Sequence, residues 1–122
     1  MATQILYGRV IDKEISFADF DETINLTNYL KKICRKFFVD KTYMEDEDEI
    51  EYPVVTFDKI SSLLNVLTKS ESELWLELKE TRGVEKRTEL LGNLKDVAFL
   101  KNSIIKMLLQ ECPNKEKLLV LI

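Results

Sequence analysis

The stretch from Thr88 to Glu111, TELLGNLKDVAFLKNSIIKMLLQE, constrains the fold more than any other. Wound as a helix at about 100° per residue, it lines up Leu90, Leu94, Val97, Ile104 and Leu108. Leu91, Ala98 and Ile105 widen that line on one side, and Leu100 and Met107 widen it on the other. The apolar face then covers about half of the cylinder, against a stripe of about 100° on an ordinary surface helix. A helix of this kind needs neighbours on more than one side, so the rest of the chain, or a second copy, should pack around it. Lys101 falls at the centre of the face. A lysine is almost never fully buried without a partner, so its ammonium should reach the surface or meet a carboxylate.

A chain of 122 residues fits one domain, 1–122, and can bury a sizeable core. Three glycines and two prolines leave little room for long loops and favour helices. No apolar run approaches the ~20 residues of a membrane span. The opening MATQILYGRVIDKE has no basic segment ahead of an apolar core, so it reads as no signal peptide and the protein as cytoplasmic. In that compartment Cys34 and Cys112 should be reduced, buried thiols, with a single bridge between them as the alternative.

Histidine does not occur in the chain. Ser-His-Asp and Cys-His nucleophile arrangements are therefore excluded within it, as are histidine metal sites. Gly8, Gly83 and Gly92 match neither common spacing of a phosphate-binding loop. The expectation is a protein that is not an enzyme, with no cofactor and no metal.

Along the chain, Gln4–Ile11 and Glu14–Phe17 read as strands joined by a turn at Asp12-Lys13, an N-terminal hairpin. Asp19, Asp21 and Glu22 precede a helix that Asp21 or Thr23 could cap. Through Val39 the positions Leu26, Leu30, Ile33, Cys34, Phe37 and Phe38 recur at helical steps. The far face carries Lys31, Lys32, Arg35 and Lys36, which could touch phosphates or could simply be the solvated side of the helix.

Glu45–Glu51, EDEDEIE, holds six acids in seven residues and reads as a mobile surface loop. It lacks the spacing and the central glycine of a calcium loop. It could be a solvated linker, a docking segment for a basic partner, or a lid folded over Lys31–Lys41. Tyr52–Phe57 reads as a short strand that Pro53 confines to an edge. Asp58 can cap a helix to about Lys69, and Ser70-Glu-Ser-Glu73 matches a capping box that should start another. Residues 71–90 read as helix, broken at Gly83, although Leu74, Leu76 and Leu78 also alternate as in a hairpin. After Pro113, the apolar Leu118–Ile122 should be a last strand or an oligomer contact.

The fold expected is α+β and mostly helical, with a small antiparallel sheet, the N-terminal hairpin plus a strand near 52–57, packed on amphipathic helices. The function expected is non-catalytic protein–protein interaction, as a small adaptor or inhibitor. Glu45, Asp46, Glu47, Asp48, Glu49, Glu51 and Phe99 are the candidate partner-binding residues. The alternative is a nucleic-acid-binding module using Lys31, Lys32, Arg35 and Lys36. The partner should be another protein, with no membrane involved. A homodimer is expected from the half-cylinder face, from Phe99 among Lys95, Asn102 and Lys106, and from the LLVLI tail.

Overall fold

The computed structural model of the protein describes residues 4–17 and 24–122. Asp19, Asp21, Glu22 and Thr23, expected to open and cap a helix, lie outside them. Nine main elements follow in chain order: β1 (Gln4–Ile11), β2 (Glu14–Phe17), β3 (Ile24–Asn25), α1 (Asn28–Cys34), β4 (Val39–Glu45), β5 (Asp48–Thr56), α2 (Phe57–Glu80), α3 (Val84–Leu108) and β6 (Lys117–Leu121). Short 3-10 turns at Arg35–Phe37 and Asn114–Glu116 follow α1 and precede β6.

The expected small antiparallel sheet is wrong. Five strands close on themselves in the order β1-β2-β4-β5-β6-β1, and β3 is an extra strand beside β1. Two pairings make the closure. β2 pairs antiparallel with β1 from Gly8–Phe17 to Ile11–Glu14, and its other edge meets β4 in a parallel pairing of Glu14 with Met44. The Met44 N–H donates to the Lys13 carbonyl at 2.8 Å and secures that join. The join covers the β2 edge at Glu14, where the strand would otherwise end unpaired.

β6 is the last strand that the sequence reading offered as one of two outcomes for Leu118–Ile122. It lies between β1 and β5, antiparallel to both. Leu118 and Val120 enter the barrel with Ile15, Tyr43 and Val54, while Leu119 joins Ile5, Tyr7 and Val55 against the helices. A strand buried on both faces reads as a continuous apolar run. LLVLI is therefore an internal stave of the barrel and not an oligomer contact. The interior is narrow: a Cβ on Gly8 would stand 3.0 Å from Leu118 Cδ1 and 3.1 Å from Val120 Cγ2. Burying each such Leu, Ile or Val contributes about 1.5–3 kcal/mol.

The helices cover one outer wall of this barrel. Thr27 caps α1, its hydroxyl accepting the Leu30 N–H at 3.3 Å. α2 runs unbroken from Phe57 to Glu80, so the helix start expected at Ser70 does not occur. Ser70 is instead buried in mid-helix, where α1 packs. α3 returns antiparallel after Thr81–Gly83, and Arg87 Nη1 donates to the Leu78 and Thr81 carbonyls at 3.1 and 3.0 Å. Residues 71–90 are thus two helices and their turn, not a β-hairpin. Of the line expected on α3, Leu90, Leu94, Val97 and Ile104 are buried and Leu108 is half-buried. Leu100 and Met107 on one margin are buried too, while Leu91 and Ile105 on the other margin are exposed, so the buried face is narrower than half the cylinder. Lys101 meets Glu71 at 3.5 Å, the carboxylate partner its position demanded.

Candidate functional site

The acidic run does not form a loop. Glu45 ends β4, Asp46 and Glu47 make a two-residue turn, and Asp48–Glu51 open β5. Asp46 and Glu47 have φ of 49° and 72°, and Asp12 and Lys13 in the β1–β2 turn have 49° and 70°. Positive φ at both central residues is the primed turn that matches the right-handed twist of paired strands. Strand pairing tolerates the acids because Glu49 and Glu51 project outward and Asp46, Glu47 and Asp48 are exposed at the tip, while the half-buried Glu45 accepts the Tyr52 hydroxyl.

The join between β2 and β4 brings the two hairpins together. Ile11 is opposite Glu14, Glu14 is opposite Met44, and Met44 is opposite Glu49. Residues paired in this way share a face, so the four form one row across the outer wall. With strands about 4.8 Å apart, the row is roughly 14 Å long. Ile11 and Met44 are 45% and 38% exposed, two large apolar side chains flanked by carboxylates. Asp12, Asp46, Glu47 and Asp48 crowd the tips beside the row, all exposed. A cleft of about 530 Å³ opens there, lined by Val10, Lys13, Lys41, Thr42, Tyr43, Met44 and Glu49.

The hairpin is fixed at its base by Tyr52, whose hydroxyl donates to Glu45 Oε1 at 2.7 Å. Burial, and then the neighbouring carboxylate, push this phenol up to about 12. Phe17 packs edge-on against the Tyr52 ring at 5.6 Å between centroids. Glu45, Asp46, Glu47, Asp48, Glu49 and Glu51 thus lie on a formed hairpin, not on the mobile loop expected.

Phe99 is not with them. It is 44% exposed and lines a separate cavity with Ile24, Thr27 and Leu30. Nor does the acidic run cover the basic residues. Lys32, Arg35 and Lys36 are exposed and Lys31 half-buried, on α1 and the turn after it, with Lys36 Nζ 5.4 Å from the Phe37 ring centroid. β4 carries Glu45 roughly 20 Å beyond Val39, and the run returns on β5 only to Glu51 opposite Thr42. The acids therefore flank Lys41 and do not form a lid over Lys31, Lys32, Arg35 and Lys36.

A second polar group lies on the helix-facing side of β1. Tyr7 Oη and Cys112 Sγ are 3.3 Å apart, and Arg9 binds Glu116 through two contacts of 2.9 Å. Tyr7, Arg9 and Cys112 line a cavity of about 350 Å³ with Ser16, Phe17, Gln110 and Glu111. Burial and the Cys112 thiol raise the Tyr7 phenol well above its ordinary range. Cys34 is fully buried, which pushes its thiol up to about 12, and Cys112 is only partly buried; both are free. No group of three or more Asp, Glu or Cys among the described residues could hold a metal ion, and no described helix is long and apolar enough to cross a membrane.

Comparison with protein-family models, curated proteins and solved structures found no match. The residues that the sequence reading passed over are Ile11, Glu14 and Met44. Each is unremarkable in its own segment, and only a pairing between strands 30 positions apart places them in one row.

Proposed function

We propose that this protein binds another protein without catalysis, through the row Ile11, Glu14, Met44 and Glu49 and the acidic tips around it. The row carries the reading. Exposed apolar side chains alternating with carboxylates suit a partner segment that offers lysines or arginines beside an apolar anchor. The acids steer such a segment to the surface, and the apolar groups hold it. An adaptor or an inhibitor of a basic site would both use it.

The test is a basic peptide with alternating lysine and leucine, titrated into the protein and followed through the methyl signals of Ile11 and Met44. These methyls should shift, with affinity falling as salt rises. Replacing Glu45, Asp46, Glu47, Asp48 and Glu49 by Gln or Asn should weaken binding and slow encounter while the fold persists. Silent Ile11 and Met44 methyls would reject the reading. Binding of a nucleic-acid duplex that is lost on substituting Lys32, Arg35 and Lys36 would replace it with the alternative.

A further inference from the structure

α2 and α3 present a second seam, part apolar and part polar, beside the one that holds them together. On α2 it runs through Phe57, Ser61, Leu64, Thr68, Glu71 and Trp75, and on α3 through Leu91, Leu94, Ala98, Lys101, Ile105 and Leu108. Both follow alternating steps of three and four, the repeat of helices that pair as left-handed coils. α1 covers the opposite flank, where Tyr29 meets Ser70 and Leu30 shares a cavity with Phe99. On the open flank Trp75, Leu91 and Ile105 are 51%, 47% and 42% exposed. This is the excess of apolar face that the Thr88–Glu111 stretch announced.

We infer that a second copy of this chain covers the flank, antiparallel, about a two-fold axis passing close to Thr68 and Ala98. The pattern is self-complementary about those positions, as a two-fold interface requires. Ala98 is small and has Leu91 seven residues before it and Ile105 seven after, so across the axis Leu91 of each copy faces Ile105 of the other. On α2, Trp75 is seven residues after Thr68 and Ser61 seven before. Each Trp75 then meets the partner's cavity of about 420 Å³, lined by the apolar Phe57, Ile60, Leu64 and Leu108 with Ser61, Asp58 and Asn114 at its polar side. An aromatic of that size is a fitting anchor for a pocket of that shape.

Lys101 is neutralised within its own copy by Glu71 at 3.5 Å, which leaves the exposed Lys95 as the other cation near the axis. The seam is about 28 Å long and two helices wide, about 20 Å. Two such faces remove roughly 1,100 Å² in total, just above the ~1,000 Å² that a specific interface should clear. The association is therefore concentration-dependent, not obligate. It uses a different surface from the acidic row, so either can fail without the other.

Sedimentation equilibrium of the full chain over a wide concentration range reads the mass directly. The mass should rise from one chain to two, Trp75→Ala should weaken association at least tenfold, and Ala98→Glu should abolish it with helical signal retained. In a Cys112→Ser background, a short bis-maleimide should link copies of the Ala98→Cys variant but not of Leu76→Cys, which faces away from the flank. This second measurement stands even if Ala98→Glu fails to fold. A single-chain mass at every concentration, a dimer indifferent to Trp75→Ala, or equal linking at positions 98 and 76 would overturn the inference.

Discussion

The Lys117 ammonium donates to the Leu108 carbonyl at 2.9 Å, and its other two hydrogen bonds reach the Gln110 carbonyl and Asn114 Oδ1, both at 3.0 Å. The residue is 2% exposed. Leu108 is the last residue of α3, where the helix dipole favours a cation, and the Gln110 carbonyl just beyond it also accepts the Cys112 N–H at 2.9 Å. One side chain thus joins the first residue of β6 to the end of α3.

Replacing Lys117 by Met keeps most of the volume and removes all three hydrogen bonds. The carbonyls left behind lose this donor, which should cost about 2–4 kcal/mol. Denaturant unfolding should show a lower midpoint at an unchanged slope. A Lys117→Met protein as stable as the parent would mean that water replaces the ammonium at no cost.

Gly8 should not tolerate a branched side chain. Its missing Cβ is 3.0 Å from Leu118 and 3.1 Å from Val120, inside a closed barrel that cannot widen on one side. Gly8→Val should destabilise by about 1–3 kcal/mol through overpacking. Thermal unfolding would decide it, and an unaltered melting temperature would show that the barrel interior is looser than its contacts indicate.

Alkali should unfold the protein. The phenols of Tyr7, Tyr29, Tyr43 and Tyr52 are all raised above 10.0, and the Cys34 thiol is raised above 9.0, with burial the first cause in each. The folded state holds these protons after the unfolded chain has released them. Stability is then fully present below the unfolded values and falls as pH climbs from about 9 towards 12. Phenolate absorbance should therefore appear together with loss of structure. Independent titration of folded tyrosines near their ordinary value would contradict the burial.

The turn Asp46-Glu47 holds two left-handed residues that favour Asn and Gly, and two like charges at the tip. Changing both, Asp46→Asn with Glu47→Gly, should stabilise the hairpin by about 1 kcal/mol, since strain and repulsion are relieved together. A lower melting temperature would show that these acids have stabilising partners at the tip.

The amino-acid sequence by itself determined the elements whose signals are local. α3 was legible because an amphipathic pattern of period 3.6 depends only on its own residues. The β1–β2 hairpin was legible because Ile15 and Phe17 alternate with Glu14 and Ser16 around a turn. Local signals also misled. The box at Ser70 imitates a helix start, but buried contacts along α2 continue the helix through it. The acids of 45–51 imitate a solvated loop, because composition records repulsion and not the outward direction that strand pairing gives them. Tertiary structure alone decided that β2 meets β4, that β6 is buried on both sides, and that Lys117 ends α3. It also decided that Ile11, Glu14, Met44 and Glu49 stand in one row. Each of these is a pairing between distant segments, set by which apolar faces could be buried together, and no window of neighbouring residues carries that information.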